Sequence, residues 1–168
     1  MINMSRIKLL VFVLLAPVAV LGLFDPSAVA QGTHEVSRYL SLRAGKVNVR
    51  TGPGVRYPVK WVFVREFMPV EVLADYDAWR KIRDWEGTEG WVHHVMLSSK
   101  RYVITVNGLN TLRQGPTEAS RAVAKLGSGM VAEVKKCEPT WCKLLVGGYR
   151  GWMQRDVLWG LKRGETLH

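Results

Sequence analysis

The chain has 168 residues, with 24 Lys and Arg against 14 Asp and Glu and a formal net charge of +10. A cation excess of this size predicts attraction to phosphates, acidic glycans and anionic headgroups. Beyond residue 30 no apolar run is long enough to cross a bilayer, so the remainder is expected to be soluble.

The first thirty residues are read as a secretory signal rather than as fold. Arg6 and Lys8 precede the uncharged apolar run "LLVFVLLAPVAVLGLF", and Ala28, Val29 and Ala30 supply the small residues that signal peptidase reads. Residues 1–30 are therefore expected to be a signal peptide cleaved after Ala30, with a periplasmic or secreted product. Pro17 and the small-residue exit weigh against an uncleaved anchor, and no Cys follows the run to take a lipid. Removing Arg6, Lys8 and Asp25 leaves a charge of +9. An exported compartment holds little nucleic acid, so this charge points elsewhere, with weak contact to an anionic membrane surface left open. Residues 31–43 read as a linker.

From residue 44 the pattern is that of short strands and turns. "KVNVR" (46–50) and "VEVLA" (70–74) alternate apolar and polar residues, or nearly so, and "VKWVFV" (59–64) is β-branched and aromatic. "WRKIR" (79–83) puts Trp79, Lys81 and Arg83 on one face and Arg80 and Ile82 on the other. "TGPG" (51–54), "DYDA" (75–78) and "EGTEG" (86–90) are turn chemistry between these runs. The series then repeats. "NVRTGP" (48–53) returns as "TLRQGP" (111–116), "MPVEVL" (68–73) as "MVAEVK" (130–135), "WRKIR" as "WCKLL" (141–145), and "GWVHHVML" (90–97) as "GWMQRDVL" (151–158). The offset is 63 at the arginines, 62 at the tryptophans and 61 at the glycines, the drift expected of two copies separated by loop deletions. Domains of about sixty residues bury only about 60% of their unfolded surface, so each copy gains from packing against the other or from a staple.

The order N-V-R-T-G-P-G, Y-P-V, V-E-V, W-x-K-I and G-W-V resembles the bacterial SH3-like (SH3b) domain, of the tandem secreted alphaproteobacterial type. The resemblance implies an all-β protein with two tandem small SH3-like β-barrels after the signal peptide, and a short helical turn after each "GW" strand. The barrels are expected at 44–99 and 100–160, with a C-terminal tail at 161–168. Two departures stand out. The first copy has Glu66, Phe67 and Met68 where the family commonly turns on Lys-Gly, and the second has Thr117 for the glycine after Pro116 and lacks the Y-P-V.

Cys137 and Cys142 flank "EPTW", the expected distal hairpin of the second copy, so their sulfurs should lie across adjacent strands. In an oxidising compartment such a pair reads as a disulfide. A zinc half-site would need two more ligands, and a catalytic thiol would need a nearby His, whereas His93 and His94 belong to the other copy and read as surface residues. No nucleophile elbow, zinc-protease helix, phosphate loop or paired-carboxylate arrangement is present, so no enzyme, metal or cofactor is expected.

Seven tryptophans are too many for two small cores to bury, and they supply the candidate site. Trp79 and Trp141 begin the strand after each distal turn. Tyr57 lies in the first long loop, and Trp85 sits among Asp84, Glu86 and Glu89, a rim suited to a cationic or amine-bearing peptide. Tyr57, Trp79 and Trp85 are expected to converge on one rim, with Asp84 and Glu89 beside them and Trp141 as the weaker counterpart. The function expected is non-catalytic binding in the periplasm, of a peptide, a peptidoglycan stem peptide or an envelope protein. The alternatives are an accessory subunit or relative of a cell-wall hydrolase, and a structural adaptor holding anionic polymer by charge.

Overall fold

The computed structural model describes residues 38–167, so the expected signal peptide lies outside the described residues. The first barrel is built from β1 (Arg38–Leu42), β2 (Val47–Arg50), β3 (Val59–Phe63), β4 (Pro69–Tyr76), β5 (Trp79–Arg83), β6 (Glu89–His93) and β7 (Leu97–Ser98). The second has β8 (Tyr102–Thr105), β9 (Asn110–Arg113), β10 (Ala122–Leu126), β11 (Val131–Cys137), β12 (Trp141–Val146), β13 (Tyr149–Gln154) and β14 (Leu158–Trp159). The sheet orders, β3-β2-β6-β5-β4-β1-β7 and β10-β9-β13-β12-β11-β8-β14, correspond strand for strand, so the sequence repeat is a repeat of fold. A single 3-10 turn follows each "GW" strand, at His94–Met96 and Arg155–Val157. The stretch expected as a linker before the first barrel contains β1, which pairs with β4 and β7, and so belongs to the sheet from Arg38 onward.

Alternation does what its period requires. Val47 and Val49 are buried and Asn48 is exposed; Cys142, Leu144 and Val146 are buried while Lys143 faces water. The repeated motif residues have one structural task each. Arg50 donates from Nη1 to the carbonyls of Val55 and Tyr57 at 3.0 and 2.7 Å, and Arg113 likewise donates to Ser120 O at 2.9 Å, so each arginine clasps its own loop seven residues on. The glycine of each "GW" lets β6 and β13 approach β2 and β9. A Cβ on Gly151 would stand 2.6 Å from Arg113 O, and one on Gly90 2.4 Å from Val49 Cγ1.

The two cores interlock. Ile104, from β8 of the second barrel, lies among the first barrel's buried residues and is 1% exposed, and Val131 and Trp159 pack against the same cluster. Tyr39 meets Trp159 edge-on at 5.1 Å, and Phe67 stacks flat on Tyr102 at 4.7 Å and 9°. Phe67 has φ of 64°, whereas its counterpart in the second copy is Gly129 at 82°. The first barrel thus places a phenyl ring at a left-handed position that favours glycine, at about 1 kcal/mol. The ring then reaches the second barrel, while Arg65 donates to Gly129 O at 2.7 Å. Met68, next in the unusual turn, is buried.

The tail folds onto the second barrel. Leu167 exchanges backbone hydrogen bonds with Cys137 at 2.9 and 3.2 Å, Leu161 and Leu167 pack on the second core, and Arg155 donates to the Lys162 and Glu165 carbonyls. Arg101 grips both oxygens of Glu165 at 2.5 and 3.0 Å. Cys137 and Cys142 are bonded to each other, directly opposite across β11 and β12.

Candidate functional site

In the first barrel a groove of about 350 Å³ opens where the clasped loop, the distal hairpin and the 3-10 turn meet. Its floor comes from strand alternation: Asn48 and Arg50 on β2, His93 on β6 and Trp79 on β5 all point away from the core. Trp79 and His93 are cross-strand partners, and their rings meet edge-on at 5.3 Å. The imidazole is fixed from its other side, because Nδ1 accepts the Val95 N–H at 3.4 Å and caps the 3-10 turn, and the ring stacks on His94 at 4.9 Å. Val55, 79% exposed, and Val95 and Met96 form an apolar rim, and Lys46 stands at the end. No carboxylate lines this groove, and Lys46 and Arg50 have no ion-pair partner among the described residues.

The second barrel has the equivalent groove, between Arg113, Trp141, Met153 and Val157, but its volume is about 210 Å³. Leu109 stands in the place of Lys46, Glu118 in that of Val55 and Gln154 in that of His93. Gln154 donates from Nε2 to Glu118 Oε1 at 2.9 Å, tying the loop to β13. The first groove is apolar-rimmed and cationic; the second is bridged and carries a carboxylate, and its Trp141 and Gln154 also line an adjoining cleft of about 400 Å³ with Arg155 and Asp156.

Residues 43–99 and 107–160 each match the family described as bacterial SH3 domain. The chain belongs to the bacterial SH3 domain family. The first SH3 domain therefore holds the open groove and the second the bridged one. Bacterial SH3 domains are binding modules, with cell-wall material and proteins as their broad classes of partner. No curated protein matches the chain. Among solved structures it is similar to NlpC2 and NlpC1 from Trichomonas vaginalis, each at 12% identity and a TM-score of 0.34. The alignments cover 76% and 77% of this chain, which spans about half of each of those chains, 49% and 48%.

Of the residues singled out in the sequence, the SH3 groove takes Trp79 and leaves Trp85 aside. β5 begins at Trp79 and ends at Arg83, so about 13 Å of strand separates its two ends and Trp85 lies in the turn beyond the far one. There it packs, half-buried, on the first core. The expected convergence of Tyr57, Trp79 and Trp85 on one rim is thus corrected. The acidic rim is corrected too. Asp84 is 6% exposed and its Oδ1 accepts the Glu86 and Thr88 N–H groups at 3.0 and 2.8 Å, closing the turn. Glu89 is held by Lys81 and Arg83 at 2.7 and 2.8 Å, and hydrogen bonds from these two cations keep its carboxyl below the ordinary value. Neither acid is free to receive an amine.

Tyr57 serves the loop. Its ring lies over Gly52, where a Cβ would stand 2.5 Å from Cδ1, and over Gly54 at 3.4 Å. Trp141 lines the second groove. Sequence reading missed Lys46, Asn48, Arg50, Val55, His93, Val95 and Met96. Arg50 was signalled by its recurrence, and His93 by its place at the end of the same strand as Trp91, facing the side away from buried Val92.

Proposed function

We propose that the protein is a non-catalytic binding protein of the bacterial envelope, exported through residues 1–30, whose first SH3 domain takes an acidic peptide in the open groove. A peptidoglycan stem peptide, which carries free carboxylates beside small apolar side chains, is the member of that class best matched to it. The observation carrying this reading is the groove's composition: Trp79 and three apolar rim residues beside Lys46, Arg50 and His93, with no carboxylate. An aromatic anchor in a partly enclosed pocket supplies affinity, and unpaired cations select an anion over a cation.

Full-length mature protein titrated with soluble stem peptide released from sacculi tests it. Trp79→Ala should weaken binding at least about tenfold, equivalent to about 1.4 kcal/mol, while Trp85→Ala and Trp141→Ala should leave it within about twofold. Retention on intact sacculi should survive high salt, because a recognised peptide is held by more than screened charge. Loss of all retention in high salt, or an unchanged affinity in folded Trp79→Ala, would overturn the assignment.

A further inference from the structure

The second SH3 domain has a different outward surface. On the solvent side of its sheet one residue from each of four neighbouring strands forms a row, since the register pairs Lys136 with Lys143, Lys143 with Trp152, and Trp152 with Arg113. All four lie on the side opposite buried Cys142, Leu144, Gly151 and Met153. Strands about 4.8 Å apart make this row about 14 Å long. Arg150, opposite Leu145, extends the same face by a second row.

The first domain has the same row in neutralised form. Ala74, Lys81, Trp91 and Arg50 occupy the four places, and Glu89 stands where the second domain has Arg150. Glu89 bridges Lys81 and Arg83 there. In the second domain the acids near the face are matched individually, Glu133 by Lys135 at 2.6 Å and Glu138 by Lys136 at 3.0 Å. Lys143, Arg150 and Arg113 have no carboxylate partner among the described residues. Trp152 is half-buried on β13, with Lys143 and Arg113 as its cross-strand partners.

We propose that this face binds an acidic polysaccharide, with one sugar ring lying on the Trp152 indole and its carboxylates on Lys143 and Arg150. Cations spaced along the face match a linear polyanion, and the part of the Trp152 indole left open beside Lys143 matches the apolar face of a pyranose. The site is independent of the peptide groove, which lies in the other domain.

Electrophoresis of full-length mature protein through gels containing polygalacturonate, with neutral dextran, dextran sulfate and phosphatidylglycerol vesicles as comparisons, decides the matter. Polygalacturonate should retard the wild type and dextran should not. Trp152→Ala should weaken the polygalacturonate affinity at least tenfold, and the paired change Lys143→Gln with Arg150→Gln should weaken it and flatten its salt dependence. Trp152→Tyr, which keeps an aromatic face, should restore most of the binding, and this arm stands even where the alanine variant folds poorly. Trp79→Ala should leave polygalacturonate binding unchanged while it weakens stem-peptide binding, so each site can fail without the other. Equal binding of polygalacturonate by the folded Trp152 variants and the wild type, equal dependence of dextran sulfate and polygalacturonate on charge alone, or binding to vesicles without polygalacturonate would each overturn the proposal.

Discussion

The two SH3 domains have the same strand order and the same arginine clasp, and they differ where each hairpin is fastened and where each groove opens. At the distal hairpin the second domain joins Cys137 to Cys142, and at the equivalent places the first sets Asp75 opposite Arg80, with Arg38 on the other side of the carboxylate. At the long loop the first domain fills the space over Gly52 with the Tyr57 ring, and the second ties Thr117 to Ser120 by a hydroxyl contact of 2.8 Å. The scaffold is conserved between the copies by backbone geometry, whereas the surfaces are free to diverge. The first copy has an open cationic groove, and in the second that groove is bridged and unpaired Lys143 and Arg150 stand on the sheet.

The domains share a core and so should not unfold separately. Ile104 is a second-domain residue in the first-domain core. Ile104→Ala should therefore lower stability by about 3 kcal/mol, within the range for a buried aliphatic truncated to Ala, and move the unfolding of both domains together. Calorimetry that showed only one of two transitions shifting would mean the cores are independent.

The hairpin fasteners give the next effect. Replacing Cys137 and Cys142 together by Ala should cost about 2 kcal/mol and leave the fold intact, since a loop this short closes cheaply in the unfolded chain. Both sulfurs are buried, so paired Ser in place of paired Ala should be worse than the lost crosslink alone requires. Asp75→Ala should cost less than about 1 kcal/mol, because its partly exposed ion pairs are screened by water. Denaturant midpoints of the three variants would check this order, and a larger loss for Asp75→Ala than for the cysteine pair would reverse it.

The smallest effect comes from one backbone position. Phe67 occupies the left-handed site that is Gly129 in the second copy. Phe67→Gly and Phe67→Ala both lose the stack on Tyr102, but only the alanine keeps the strain. The glycine variant should therefore be the more stable of the two by about 1 kcal/mol, opposite to the usual order of these residues in strands and helices. Equal midpoints in chemical unfolding would show that the turn relaxes around any residue.

Much of this architecture is written locally. The alternation of "KVNVR", the turn residues, the "RTGP" and "GW" repeats and the two cysteines across a tight hairpin each act over fewer than about ten residues, where sterics and strand period decide the outcome. Two SH3 barrels and the disulfide were therefore legible. The rim was not. Which side chains share a groove depends on register between strands far apart in the chain, as with Asn48 and Arg50 on β2 beside Trp79 and His93 on β5 and β6. Composition around Trp85 suggested an acidic site, but a strand's length put it at the wrong end and its acids were engaged by the turn and by Lys81 and Arg83. The left-handed phenylalanine, the shared core at Ile104 and the opposite fates of the two grooves were settled only when separate parts of the chain met, because their energies come from non-local packing and charge pairing rather than from backbone preference.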